Sequence, residues 1–207
     1  MMQRILVWDY PQRLGHWLLA GSFAIAYVSG EAEAWQAVHV AAGACFAALL
    51  AFRLVWGVAG SRYARFAEFV RPPRVAVDYL RALAQGHPPH STGHNPAGAY
   101  AILALLGFGV LLVAAGFAAW QEWGGRALSH AFGEVHEGIA GVLLAVVAVH
   151  VAGVITGSIL HRENLVTAMF TGRKCGPSGA GLAGPRPLAG AAVLVLAAFA
   201  VVWGFSA

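Results

Sequence analysis

The sequence predicts an all-α integral membrane protein, with a four-helix transmembrane bundle and a fifth, C-terminal transmembrane helix. Of the 207 residues, 59% are hydrophobic and only 11% are charged, which is typical of small polytopic membrane proteins. Five apolar stretches each approach the roughly 20 residues that a helix needs to cross a bilayer. They cover residues 14–30, 36–57, 97–119, 136–160 and 188–205.

The basic residues predict the orientation of these helices. If the N-terminus is cytoplasmic, all but one of the 13 Lys and Arg residues fall on the cytoplasmic side, and only Arg126 falls outside. The positive-inside rule therefore predicts a cytoplasmic N-terminus and a periplasmic C-terminus. Because topology explains the basic loop after the second stretch, we expect no nucleic-acid binding.

Histidines stand at distinct depths within the predicted helices. His16 lies about one turn into the first stretch, and His39 lies about one turn into the second. His136 and His150 are 14 residues apart in the fourth, which is ~21 Å of helix, and they share one helix face. An ionisable side chain inside a membrane is costly, so each of these is a candidate functional residue.

If successive helices cross the membrane in opposite directions, the four histidines form two pairs at two depths. His16 and His150 lie toward the cytoplasm, and His39 and His136 lie toward the periplasm. Each pair can ligate one six-coordinate haem iron between two helices, so the sequence predicts two haems b. No CxxCH motif is present, which excludes covalent c-type haem. A histidine proton relay or another metal site are the alternatives.

Arg53 lies on the same predicted helix face as His39, but 14 residues later, at the depth of His16. Two interpretations are open. The guanidinium pairs with a haem propionate, which suits its bidentate geometry, or it snorkels to the membrane surface.

The segments between the stretches carry weaker signals. The loop over residues 58–95 contains His87, His90 and His94, for which we expect solvent exposure rather than a metal site. The third stretch has no charge and is expected to be structural. A Gly- and Pro-rich linker, 175–187, is predicted to separate a di-haem domain, 1–174, from the last helix, 188–207.

Four segments carry a family resemblance: WDYPQRLGHW, HVAAG…RLVWG, HNPAG and HEGIAG…HVAGVI. The chain resembles the bacterial cytochrome b561 family over residues 1 to about 174. That family includes the cytochrome b subunits of nickel–iron hydrogenases and formate dehydrogenase. The resemblance implies a bacterial inner-membrane protein, the pairs His16–His150 and His39–His136, and electron exchange with membrane quinone. Asn95, Arg53 and the loop after Gly57 are the candidate quinone contacts.

Electron transfer across the membrane is therefore the expected function. Quinone would be one partner, and a periplasmic cytochrome c or a dehydrogenase or hydrogenase subunit the other. The outer side carries five glutamates against Arg126; this acidic face would suit a basic cytochrome c, or it merely mirrors the positive-inside bias. The resemblance leaves two alternatives, a stand-alone superoxide:quinone oxidoreductase, which the acidic face disfavours, and a membrane anchor for a hydrogenase-like complex.

Overall fold

The computed structural model describes residues 1–207 and contains eight α-helices and one two-stranded sheet. Four helices are long and apolar enough to cross a membrane. The prediction of an all-helical membrane architecture is thus confirmed in its main part. The elements in chain order are β1 Met2–Leu6, α1 Tyr10–Ser29, α2 Gln36–Ala59, α3 Phe66–Phe69, α4 Pro73–Ala84, α5 Pro96–Trp120, α6 Arg126–Leu160, α7 Leu165–Thr171, β2 Arg173–Pro177 and α8 Pro187–Ser206.

The four candidate membrane helices are α2, α5, α6 and α8. The first predicted span corresponds to α1, which is 20 residues long but less apolar, because Gln12, Arg13 and His16 lie in its first two turns. Helix α1 nevertheless packs along both α2 and α8. Because it packs against two candidate membrane helices, α1 stays a predicted span.

Helices α1, α2 and α8 form one side of the bundle, and α5 and α6 form the other. An apolar cluster joins the two sides at mid-height through Phe23 of α1, Phe46 of α2 and Leu143 of α6. Apart from Leu143, only Gly157 is buried along the whole of α6. Helix α6 therefore stands apart from α1 and α2 above and below this central contact.

Helix α6 begins ten residues earlier than the sequence predicted. Between the third and fourth predicted stretches only a short turn precedes Arg126, and Gly125 adopts a positive φ of 84° before the first turn of the helix. At 35 residues the helix is about 52 Å long, which exceeds the ~30 Å hydrocarbon core. Its first turns contain polar residues that resemble a loop in sequence, and they extend the helix beyond the length that a bilayer core requires.

A small sheet, which the sequence did not predict, ties the N-terminal segment to the segment before α8. Strand β1 pairs antiparallel with β2, with Met2 opposite Pro177 and Leu6 opposite Arg173. Gly172 turns the chain with a φ of 79°, and its carbonyl accepts hydrogen bonds from the amides of Val7 and Trp8. The predicted linker 175–187 therefore begins inside a strand.

Helix α8 packs directly against the bundle rather than standing apart from it. Its buried residues Val193 and Ala197 form a cluster with Cys45 and Leu49 of α2. A Cβ atom on Gly204 would lie 2.5 Å from the backbone of Ala41, so the two helices meet at van der Waals distance.

Candidate haem-binding sites

The four predicted histidines come together as two pairs, one at each end of the bundle. We call the end with the β1–β2 sheet, where α1 begins and α2 and α6 end, the hairpin end, and the opposite end the far end. At the hairpin end the ring centroids of His16 and His150 lie 6.4 Å apart. At the far end those of His39 and His136 lie 6.0 Å apart.

These separations suit a metal between each pair of rings. Imidazole–metal bonds are about 2.0 Å long, so two rings on opposite sides of one metal, each adding its half-width, have centroids roughly 6 Å apart. Open space lies beside the helices that carry the histidines. A Cβ atom would meet nothing within 4 Å at Gly21, Gly43, Gly138, Gly141 and Gly153. The residues of each pair would therefore fit a haem group, whose iron the two imidazoles would ligate.

The far-end histidines are oriented by backbone carbonyl groups. Nδ1 of His39 lies 2.9 Å from the carbonyl oxygen of Ala26, and Nδ1 of His136 lies 2.9 Å from that of Leu112. A carbonyl only accepts, so each Nδ1 carries the hydrogen and donates it. This tautomer leaves each Nε2 free as a ligand, and a carbonyl partner of this kind is typical of metal-binding histidine.

Gly116 of α5 makes room for the His136 ring. A Cβ atom at this position would lie 2.7 Å from both Cε1 and Nδ1 of that ring, which is closer than any normal contact. The absence of a side chain at Gly116 therefore allows the His136 ring to lie directly against α5.

The hairpin end contains all of the buried side-chain polar atoms that lack a hydrogen-bond partner. Nδ1 of His16 is one of them. The far end has none. The other such atoms lie at three places at this end. At the start of α1 they are Asp9 Oδ2, Gln12 Oε1 and Arg13 Nε. In the last turns of α2 they are Arg53 Nη1 and Nη2 and Trp56 Nε1, and just before α5 the atom is His94 Nδ1.

Arg53 has two buried nitrogen atoms without a hydrogen-bond partner, more than any other residue of this set. Its side chain is only 7% exposed, both Nη atoms lack partners, and the nearest aromatic face is that of Phe66, 5.2 Å away. A buried guanidinium needs an opposite charge, which the protein does not place in contact with it. A carboxylate such as a haem propionate would complete this site.

Asn95, a candidate quinone contact, also makes a structural contact within the protein. Its Oδ1 accepts a hydrogen bond of 2.7 Å from the amide of Gly98, so it caps the N-terminus of α5. The motif Asn-Pro before an apolar stretch is a recognisable capping signal. Its side-chain amide nitrogen is not used by the cap.

His94 differs from the solvent-exposed loop histidine that the sequence predicted. Its ring lies 4.6 Å from Trp8 and 4.5 Å from Phe69 between centroids, whereas His87 and His90 are exposed as expected. Burial, reinforced by the positive charge of Arg53, lowers the pKa of His94 to about 3. The ring is therefore neutral. Neither aromatic partner is close in sequence, so no local pattern could have identified this contact.

Comparison with known proteins identifies the family of this chain. The family model of the prokaryotic cytochrome b561 matches residues 7–172. A probable Ni/Fe-hydrogenase B-type cytochrome subunit from Rhizobium leguminosarum bv. viciae is 26% identical, over 83% of this chain and 89% of that protein. No solved structure matches the chain. The predicted resemblance is confirmed: the chain belongs to the prokaryotic cytochrome b561 family, as a multi-pass membrane b-type cytochrome in electron transfer.

Proposed function

We propose that the protein carries electrons across the membrane through two haems b, one ligated by His16 and His150 and the other by His39 and His136. The observation that carries this proposal is the pairing of the four rings at 6.4 and 6.0 Å. His136 and His150 both lie on α6, ~21 Å apart along the helix, so the pairs occupy opposite depths.

Bound haem would supply reversible one-electron chemistry, and the protein's residues would hold it and control its surroundings. Two imidazoles per site leave no ligand position for exchange, which favours electron transfer over oxygen chemistry. Arg53 would pair with a propionate at the hairpin end. The apolar layer of Phe23, Phe46 and Leu143 would keep water out of the region between the sites.

The hairpin end is the proposed place of quinone exchange. Its buried polar atoms without partners include donors and acceptors that a quinone headgroup needs, among them those of Gln12 and Trp56. Arg53, the unused amide nitrogen of Asn95 and the loop after Gly57 are the proposed contacts. Phe66 lies against Gly57, where a Cβ atom would be 2.1 Å from the ring, so this loop covers the site closely.

We place the hairpin end in the cytoplasm and the far end in the periplasm of a bacterial inner membrane. Support comes from the positive-inside rule, since Arg126 is the one basic residue at the far end. Helices α1 and α8 would then be spans, so that the C-terminus is periplasmic and the chain crosses five times.

The proposed partner at the far end is a redox subunit of the hydrogenase or dehydrogenase class, or a periplasmic cytochrome c. The printed name of the Rhizobium relative favours the first, and the chain would then also anchor that complex. The far end is acidic and all of its glutamates are exposed, which suits a basic docking surface and offers little attraction for superoxide. The exposed glutamates of the far end are Glu31, Glu33, Glu122, Glu134 and Glu137.

A pyridine haemochrome assay on purified protein tests the proposal. We expect two non-covalent protohaems per chain, and reduction of the haem by added quinol in membranes. One haem per chain, or haem that resists extraction into acidified acetone, contradicts the assignment. Haem that quinol does not reduce contradicts the quinone part alone.

A further inference from the structure

A cavity of about 660 Å³ lies outside the histidine sites, at the hairpin end of α2 and α8. Its walls are the turn after α2, from Gly60 to Arg65, and the segment 179–187 that leads into α8. The volume is within the ~300–1,000 Å³ of small-molecule sites. None of the four paired histidines lines it, and neither do Arg53 and Asn95.

The charge that lines this cavity is positive only. Arg62, Arg65 and Arg186 line it, and no Asp or Glu does. Arg62 has an ion-pair partner in Glu68, whereas Arg65 and Arg186 have none. Two arginines without an ion-pair partner therefore line one cavity, and guanidinium groups bind phosphate through paired N–H donors.

The backbone adds further donors to the same wall. The amides of Gly181, Ala183 and Gly184 make no hydrogen bond within the protein, although all three residues line the cavity. Free amides on consecutive glycine-rich turns are a common means of binding phosphate oxygens. Arg186 adopts a positive φ of 53°, an uncommon conformation for a residue with a side chain, and its guanidinium lies 5.6 Å from the Trp56 ring.

The position of the cavity indicates that a phosphate group bound there would belong to a lipid. Helix α2 ends at Ala59 and α8 begins at Pro187, so the cavity lies where two membrane helices leave the bilayer. Exposed Val55 and Val58 of α2 and Leu188 of α8 lie less than two turns from its edge. Acyl chains can lie on these side chains while a headgroup occupies the cavity.

We propose that this cavity binds the phosphate diester headgroup of an anionic phospholipid. Basic cavities between helix ends on the cytoplasmic side of a membrane are suited to such headgroups. Gly60 to Arg65 lie within the family match at 7–172, whereas segment 179–187 and α8 lie beyond it, so the site joins the matched part of the chain to its C-terminal part. A lipid there bridges the end of α2 and the start of α8.

The test uses the full-length, haem-loaded protein after delipidation in detergent. Phosphatidylglycerol, phosphatidylcholine and inorganic phosphate are the three probes, and native mass spectrometry measures binding. The variant is Arg65→Gln with Arg186→Gln. The control, Arg74→Gln with Arg173→Gln, removes two exposed arginines that do not line the cavity. The haem absorption spectrum shows that each variant is folded.

We expect phosphatidylglycerol to bind at least about tenfold more tightly than phosphatidylcholine, and the cavity variant to lose roughly tenfold or more of that affinity. The control should change affinity by no more than about twofold. Equal binding of the two lipids, or equal loss in the control, overturns the proposal. The proposal is also overturned if inorganic phosphate stabilises the protein through the same arginines and phosphatidylglycerol gives no further stabilisation. If the double variant lacks haem, Arg65→Gln alone provides the comparison.

Discussion

The two ends of the bundle hold the same pair of side chains in different surroundings. At the far end, backbone carbonyls orient both His39 and His136, and no buried polar atom lacks a partner. At the hairpin end, Nδ1 of His16 has no partner, and Arg53 lies nearby with both Nη atoms free. The protein completes one site by itself and leaves polar groups at the other for something else to bind.

This difference has an electronic consequence if both pairs hold haem as proposed. A carbonyl that accepts the Nδ1 hydrogen makes the imidazole a more basic ligand, which favours oxidised iron. A nearby cation such as Arg53 favours the reduced state instead. The hairpin-end haem is therefore expected to have the higher potential, and electrons from the far end would move downhill toward it.

The largest expected effect is the loss of one haem without the other. His39→Ala should remove only the far-end haem and His16→Ala only the hairpin-end haem, because each haem would lose one of its two iron ligands. Haem content and redox titration measure this, and the remaining titration wave should differ between the variants. His130→Ala is the control, since His130 is exposed on α6. If both variants lose the same wave, the pairing is wrong.

Gly116→Ala tests the far end alone. The new methyl group would lie 2.7 Å from the His136 ring, so the ring must shift away from its carbonyl partner. We expect roughly tenfold weaker haem retention at the far end, in line with the loss of an orienting contact to a metal ligand. Gly107→Ala on the same helix meets nothing within 4 Å and should retain both haems. Loss of the hairpin-end haem in Gly116→Ala would contradict the separation of the sites.

Arg53→Leu tests the hairpin end alone. Removing the cation should lower the potential of the hairpin-end haem by tens of millivolts, since ~59 mV corresponds to about 1.4 kcal/mol for one electron. The far-end haem, ~21 Å away along the helix, should barely change. Potentiometric titration resolves the two waves, and Arg81→Leu, an exposed residue of α4, is the control. Equal shifts of both waves would leave Arg53 as a membrane anchor only.

The smallest effect is expected at Asn95. Asn95→Ala should lower the free energy of unfolding by about 1 kcal/mol, because the cap on the Gly98 amide is lost, and Asn95→Ser should restore it. Chemical denaturation measures the stability, and the rate of quinol-dependent haem reduction tests the proposed contact of Asn95 with quinone. If Asn95→Ser recovers stability but not the reduction rate, Asn95 also contacts quinone. If it recovers both, Asn95 is a cap alone.

The sequence predicted the four candidate membrane helices and the pairing of the histidine rings because both depend on local rules. A helix repeats every 3.6 residues, so His136 and His150 share a face whatever surrounds them. It did not predict that α6 starts at Arg126, because polar residues in a helix that leaves the membrane resemble a loop. It also treated His94 as a loop residue, since Trp8 and Phe69 reach it only in the folded chain.

The sequence by itself therefore determined the membrane class, the apolar stretches, the end of the bundle at which each histidine lies and the family. Hydropathy and helix periodicity are carried by neighbouring residues, so no tertiary contact is needed to recognise them. Tertiary structure decided which carbonyls orient His39 and His136, that Gly116 leaves space for a ring, and that β1 pairs with β2. These features join residues far apart in the chain, and only packing brings such residues together.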